Sequence, residues 1–481
     1  MSEKINSKVI TATKWSAITE LAAKLVTPIS TMVLARILTP EAFGVLVTAT
    51  MVISFAEIFT DAGFQKYLIQ HEFEDKESLS KSTAVAFWSN LALSIIIWAI
   101  ICLFSPRIAH LVGNDGYELV IAVSCVCIPL AAFSSIQMAL FKRRLDFKSL
   151  FLVRIIGILI PLVVTIPLAL FTHSYWSLII GMIAQNLSNA VVLTIKSEWK
   201  PRWFYEISLF KEMFSFTMWS MVEAIAIWLT SYLDIFIVGT ILDTYYMGIY
   251  RTSISIVSQI MTIITGITTP VLFSALSRLQ YSECEFKSLF FRFQRLVGLF
   301  VIPLGVGIYL FRNLITTVLL GSQWSEAAYL IGWWGLTSAI TTVLSHYCSE
   351  VYRAKGKPKY SVLSQLIHIA FLIPTVLVSV RYGFQTLCLS RSLVRLTGIA
   401  VHLVLIYTLT RITPMEMFRN ILHSSVCAFL MAVVYFFLPS TTNLFIQVGY
   451  AIVCSISYFI AICVFSEERN LLLSIKSIMK V

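Results

Sequence analysis

The sequence predicts an all-α polytopic membrane protein of about fourteen transmembrane helices, arranged as two parallel six-helix bundles plus two C-terminal helices. Three observations predict it: a very apolar composition, a train of apolar runs of membrane-spanning length, and an internal repeat. Of 481 residues, 58% are hydrophobic and only 13% charged, against about 25% charged in an ordinary soluble domain. A water-soluble fold of this length would have too little polar surface to face solvent. The apolar runs are each roughly 20 residues, the length at which a helix crosses a ~30 Å hydrocarbon layer.

The predicted spans are 15–37, 43–63, 83–105, 117–140, 150–171, 175–195, 213–238, 247–274, 290–312, 326–350, 361–381, 384–408, 420–438 and 444–465. The connections between them alternate in charge. Segments 1–14, 64–82, 141–149, 196–212, 275–289, 351–360, 409–419 and 466–481 hold most of the 36 lysines and arginines. The opposite set holds Arg107, with Arg36, Arg312 and Arg381 at span edges. The positive-inside rule makes the basic set cytoplasmic and puts both termini on that face. Trp15, Tyr175 and Trp176 at span ends fit interfacial aromatic belts. Met1 to Lys14 is polar and lacks a signal-peptide core, so the first span is expected to persist as an anchor.

The formal net charge of +11 is spread over these short loops rather than gathered on one face or tail, so nucleic acid is not the expected partner. The nine cysteines lie mostly inside apolar runs, without a CxxC pair or a His/Cys metal spacing, and read as small core residues. No metal or cofactor is expected, and no GxxxxGK[ST] phosphate loop occurs. The longest connections opposite the basic set, near 106–116 and 313–325, are short. They leave no room for the outer domain that membrane glycosyltransferases, polymerases and ligases display, so catalysis is not expected.

Sliding the chain on itself at one constant offset aligns Trp15-Ser16 with Trp219-Ser220, Ile37-Leu38 with Ile241-Leu242, and Gly44 with Gly248. Slightly larger offsets bring Lys142 onto Arg353 and Ile160-Pro161 onto Ile373-Pro374. The matches keep their order over two six-span units, expected at 1–200 and 201–410. Residues 411–481 supply two unpaired spans and a cytoplasmic tail. An even number of spans per unit makes the repeats parallel, and transporters built this way rock one bundle against the other around a midplane site.

Charges inside spans are costly and tend to face a bundle interior or water. They comprise Glu20 and Lys24 in the first span, Glu57 and Asp61 in the second, Arg154 in the fifth, Glu223 and Asp234 in the seventh, Arg251 opening the eighth, and Arg391 with Arg395 in the twelfth. Glu20/Lys24, Glu57/Asp61 and Arg391/Arg395 are spaced i,i+4, so each pair shares a helix face. For Arg391 and Arg395 two readings stand: pairing with acids such as Glu223 or Glu350, or a cationic site whose planar forks suit phosphate oxygens. Lys24 either pairs with Glu20 or joins that cationic site. Glu57, Asp61 and Glu223 are candidates for ion coupling or structure. Asp234 is expected to hold Arg251 or a loop, and Arg154 lies near enough to the inner edge to snorkel. His346, His368 and His402 are scattered singly and read as satisfied interior histidines. Pro28, Pro129, Pro161, Pro167, Pro270, Pro303 and Pro374 fall inside spans, where each frees a carbonyl and permits a bend.

Six segments carry a resemblance. RILTPEAFG (Arg36 to Gly44), DAGFQKYLIQ (Asp61 to Gln70), FKRRLDFKSL (Phe141 to Leu150) and YWSLIIG (Tyr175 to Gly181) are joined by LDIFIVG (Leu233 to Gly239) and GIY (Gly248 to Tyr250). Together they resemble the polysaccharide biosynthesis/export family over about the first 400 residues. The likeness is to Wzx-type oligosaccharide flippases, in the superfamily that also holds the MATE exporters and the lipid II flippase. It implies a bacterial cytoplasmic-membrane protein that moves undecaprenyl-pyrophosphate-linked oligosaccharide from the inner to the outer leaflet, for O-antigen, capsule or exopolysaccharide. It also implies polymerase and chain-length proteins of the same pathway as partners. Basic cavity residues are favoured, and depth in the spans selects Lys24, Arg391 and Arg395, with Arg251 and Arg154 as further candidates. A MATE-like cation-coupled exporter and a lipid II flippase are the alternatives. The first would need buried acids without a central basic pair.

Overall fold

The structure, a computed structural model, describes Trp15, Thr19 and residues 22–24, 26–61, 63–357 and 359–471. Among them every regular element is helical. A helix closes its backbone hydrogen bonds within itself, which is what a chain immersed in hydrocarbon requires. Eleven of the described helices are long and apolar enough to cross a membrane, and a further pair bent by 51° passes only when taken together. The chain is therefore a multi-pass, all-α membrane protein. It divides into two compact units, Met1–Arg251 and Thr252–Val481.

In the first unit, α1 is helical over residues 26–37 and α2 spans Pro40–Asp61. Pro40 at its start has a preset φ and no amide hydrogen to leave unpaired, and Glu41 complements the positive end of the helix dipole. α3 (Phe64–Gln70) and the start of α4 (Lys76–Leu111) occupy a connection expected to be a loop. Asp75 caps α4 by accepting from the Ser78 amide at 2.6 Å. With 36 residues, α4 is about 54 Å long, so it overruns a ~30 Å bilayer core. α5 (Glu118–Ser124) and α6 (Cys127–Arg143) form one interrupted span. α7 (Phe147–Ile160), capped by Asp146, runs through a π-helical turn opened by Pro161 into α8 (Ile166–Thr172). α9 (Trp176–Lys196) packs on α6 and α7.

α10 (Ile207–Ile241) is one helix of 35 residues packed on α2, α3 and α4. Phe64, Tyr67, Leu68, Phe87 and Met213 form its core with α3 and α4. Tyr67 donates to Glu212 Oε1 at 2.7 Å. Arg143 donates to the Leu68 and His71 carbonyls at 2.7 and 2.6 Å, placing a cation on the negative end of α3.

α11 (Thr244–Arg278) begins in the first unit against the start of α2. A Cβ on Gly44 would lie 1.9 Å from the Thr244 carbonyl oxygen, and one on Gly248 would lie 2.0 Å from the Pro40 carbonyl oxygen. The contact is reciprocal, and Pro40 and Thr244 stand at the same spacing as the repeat-matched pair Gly44 and Gly248. Only glycine lets two backbones approach so closely. Thr244 also donates to Asn114 Oδ1, and Thr48 to Met247 Sδ at 3.4 Å.

The second unit is built on α12 (Glu283–Leu310), which passes Pro303 unbroken. The connection expected at 313–325 holds a helix, α13 (Arg312–Leu319). α14 (Ala327–Thr341) continues through a π-helical turn at Thr342–His346 towards α15 (Cys348–Ala354). α16 (Lys359–Ser379) packs on α17 (Phe384–Thr410), and α17 packs on α14. α18 (Pro414–Asn420) opens with a capping box between Thr413 and Glu416. α19 (Leu422–Phe437) and α20 (Leu444–Cys463) pack on each other and on α12 through Leu299, Cys427, Met431, Cys454 and Tyr458. Tyr458 donates to the Leu299 carbonyl at 2.8 Å. Cys125, Cys127, Cys348, Cys388, Cys427 and Cys454 are buried, whereas Cys284 and Cys463 are exposed.

Candidate functional site

The second unit gathers its deep charge at the contact of α14 with α17. On α14, Trp334, Ser338 and Thr341 follow at i, i+4 and i+7 and so share one face. On α17, Arg391 and Arg395 lie one turn apart. The Arg395 guanidinium carbon stands 4.0 Å from the Trp334 ring centroid and that of Arg391 stands 4.9 Å from it. Arg395 also donates to Ser338 Oγ at 2.7 Å and to Thr341 Oγ1 at 3.4 Å. Trp334 is 5% exposed and Arg391 8%, while Arg395 is half-buried.

Magnitudes show why this cluster is unusual. Two guanidinium charges sharing one ring repel by on the order of 2 to 4 kcal/mol at an effective dielectric of about 20. Each gains about 0.5 to 2 kcal/mol from the negative face of the indole. The ring thus offsets part of the repulsion. Glu350, one of the acids weighed as a partner for the pair, is buried and bonded to Arg353 at 3.3 Å.

The first unit holds the remaining intramembrane charges. Lys24 is half-buried on the first helix, and Glu57 is half-buried on α2. Arg154 is exposed on α7. Asp234 is buried and accepts from Tyr250 Oη at 2.8 Å and from the Ile235 amide at 2.9 Å. Arg251, next to Tyr250, stacks over Tyr232 at 5.4 Å. Glu20 and the side chains of Asp61 and Glu223 lie outside the described residues. His346 Nε2 meets Thr269 Oγ1 at 3.2 Å, and His402 Nδ1 meets Tyr352 Oη at 3.0 Å. Among the described residues no three His, Cys, Asp or Glu side chains converge as a metal site would require.

A family model described as polysaccharide biosynthesis protein matches residues 33–329, more than half of the chain. The chain belongs to this family. As a polysaccharide biosynthesis protein it has diverged far from its named relatives. It is 23% identical over 372 residues to an uncharacterized membrane protein in the cps region of Klebsiella pneumoniae, covering 77% of this chain and 76% of the other. It is 23% identical to the succinoglycan biosynthesis transport protein ExoT of Rhizobium meliloti, with 72% and 70% covered. It is 22% identical to the lipopolysaccharide biosynthesis protein WzxC of Escherichia coli, with 67% and 65% covered.

Solved structures give the fold of this polysaccharide biosynthesis protein. The lipid II flippase MurJ in an inward closed conformation matches with a TM-score of 0.74 at 14% identity, covering 95% of this chain and 99% of that one. An inward-facing multidrug resistance MATE transporter matches with a TM-score of 0.61 at 12% identity, covering 84% and 98%. Of the candidates drawn from the sequence, α17 brings Arg391 and Arg395 together, while Asp234 accepts from Tyr250 and the neighbouring Arg251 stacks over Tyr232. Trp334, Ser338 and Thr341 were missed. Their i, i+4, i+7 spacing was available, but nothing marks it as functional until α14 is known to face α17.

Proposed function

We propose that this chain is a flippase that carries a lipid-linked oligosaccharide, joined through pyrophosphate to an undecaprenyl-type lipid, from the cytoplasmic to the outer leaflet of a bacterial cytoplasmic membrane. The basic connections would face the cytoplasm, with both termini there, and the repeat would let the site open alternately to each face. The observation that carries the reading is the Arg391/Arg395 pair on one indole plate within membrane-spanning helices. Two forks on one face suit the oxygens of a pyrophosphate. The family membership and the named functions of ExoT and WzxC support it. Lys24, Arg251 and Arg154 are proposed as further basic contacts, and Glu57, Asp61, Glu223 and Glu20 as coupling or structural acids.

A MATE-like exporter of cations would place like charges against its cargo at this plate, so the arginine pair speaks against it. A lipid II flippase would use the same headgroup chemistry on a different sugar, and transport assays with defined lipid-linked sugars separate the two. The decisive test replaces Arg391 and Arg395 by Ala in a strain lacking its own copy. Surface polysaccharide should be lost while the membrane level of the protein holds. Normal surface polymer in that strain would remove these residues from the site.

A further inference from the structure

In the second unit, four helix ends meet around an open cavity of about 330 Å³. α12 gives way to α13 at Phe311, and α19 ends at Phe437 before α20 starts at Leu444. The α19–α20 connection is held in shape by its own polar groups. Asn443 caps α20 by accepting from the Phe445 amide at 2.9 Å, and Gln447 Nε2 donates to the Thr441 carbonyl at 2.7 Å. The Tyr435 ring stands edge-on to Phe311, with centroids 5.0 Å apart. The polar lining is Asn313, Tyr435, Ser440, Thr441, Gln447 and Tyr450, and the remaining lining residues are apolar. No Asp, Glu, Lys, Arg or His lines the cavity. Asn313 and Ser440 are exposed, and the other four are half-buried.

Those groups decide what fits. A phosphate is recognised through charge-assisted bonds, which this lining does not offer, and a phospholipid headgroup brings a phosphate with it. A bare lipid tail would strip water from the polar groups without replacing their hydrogen bonds. A sugar ring offers C–H faces to the two tyrosine rings. Its hydroxyls donate and accept, as do the amides of Asn313 and Gln447. The volume lies at the lower end of the about 300 to 1,000 Å³ of ligand sites, which suits a short saccharide. We propose that this cavity is a saccharide-binding site for an uncharged sugar unit of the cargo, separate from the arginine pair. That the cargo is a glycan rests on the proposed function. With the basic connections cytoplasmic, the α19–α20 connection lies on the outer face, where the glycan emerges. Five of the six polar lining residues come from α19, α20 and their connection, the spans that the sequence repeat leaves unpaired. The cavity gives those two helices a task that the repeated spans do not share.

The test uses the full chain in nanodiscs of neutral lipid. The probes are methyl glycosides of the neutral sugars in the surface polymer of the strain that carries the chain, read by saturation-transfer NMR. At least one glycoside should bind, with an affinity that holds within about twofold between low and high salt, since no charge is engaged. Tyr450→Ala removes a ring face and should weaken that binding at least about tenfold. Tyr450→Phe and Asn313→Ala each remove hydrogen bonding alone and should weaken it about three- to tenfold, at an unchanged melting temperature. Arg391→Ala/Arg395→Ala should bind the glycoside as the wild type does. The inference is overturned if no glycoside binds, if binding collapses with salt, or if the cavity variants bind like the wild type. Displacement of the glycoside by sn-glycero-3-phosphoethanolamine would make the cavity a phospholipid site and overturn it equally. The surface polymer tells the two proposals apart. If glycosides bind while a strain with Arg391→Ala/Arg395→Ala keeps its polymer, the proposed anion site falls and the cavity stands. If that strain loses its polymer and no glycoside binds, only the cavity falls.

Discussion

Arg395 makes three contacts at once: its guanidinium stacks on Trp334 and donates to Ser338 and Thr341. A planar fork can do this, whereas an ammonium is a point charge on a flexible stem. Arg395→Lys should therefore lower the initial transport rate in proteoliposomes about tenfold, although it conserves charge. A rate equal to wild type would reduce the site to simple electrostatics. The arginine pair was legible in the sequence because any charge inside an apolar run stands out. Trp334 was not, since it is one of 11 tryptophans and most aromatic residues in a span simply pack. Away from the spans, Glu416 shows a second residue-scale effect. It accepts from the Thr413 amide at 2.7 Å and from the Thr413 hydroxyl at 2.8 Å, and these bonds hold its carboxyl below the usual glutamate range. A depressed folded value stabilises α18 in full above the ordinary glutamate range, and the effect disappears as pH falls through the lowered value. Amide protection in α18, corrected for intrinsic exchange, should drop on acidification in the wild type and stay flat in Glu416→Gln. Thr413→Ala should cost about 1 kcal/mol of local stability at neutral pH.

Element positions followed from hydropathy for the eleven described helices long and apolar enough to cross a membrane, against fourteen expected spans, and failed where helices extend beyond the apolar run. α4 runs from Lys76 to Leu111 because a capped helix continues into water without any hydrophobic signal, so its ends escape a hydropathy reading. The same holds for α3 and α13, which fill connections expected to be loops. The prolines behaved unequally. Pro161 opens a π-helical turn, whereas Pro106, Pro270, Pro303 and Pro374 sit inside continuous helices. The Gly44/Gly248 contact was visible in sequence only as a repeat match. Its meaning needs the backbone, since each glycine meets the carbonyl at the start of the other's helix. Any side chain there must push two backbones apart, so Gly44→Val should destabilise the purified protein by more than the about 1 to 3 kcal/mol of ordinary overpacking. Gly248→Val should do the same. Because one separation relieves both clashes, the double variant should be less destabilised than the sum, by at least about 0.5 kcal/mol in a thermodynamic cycle. Additive losses would show that the two positions act independently.

At the scale of the whole molecule, the alternation of basic and non-basic connections bears on energy as well as orientation. With the basic connections on the cytoplasmic face, as proposed, a pyrophosphate headgroup leaves a compartment held at negative potential. Each elementary charge moved outward gains about 2.3 kcal/mol per 100 mV, so a headgroup of charge near −2 gains about 4.6 kcal/mol at 100 mV. That exceeds three factors of ten in an equilibrium ratio, each worth 1.4 kcal/mol. The return of the empty site moves its positive charge inward, which the same field favours. The bound headgroup and the site nearly cancel in the loaded step, so over the whole cycle this gain enters once, and no nucleotide is required. In proteoliposomes with defined lipid-linked sugar, a valinomycin-clamped potassium gradient, negative on the side of the basic loops, should drive accumulation in the opposite leaflet. Setting the potential to zero should bring the leaflet ratio close to one, and reversing it should reverse the ratio. A proton or sodium gradient at zero potential should then have little effect. If such a gradient alone drives accumulation, coupling runs through the acids, with Glu57 the first to replace by Gln, and the arginine pair serves recognition rather than energy.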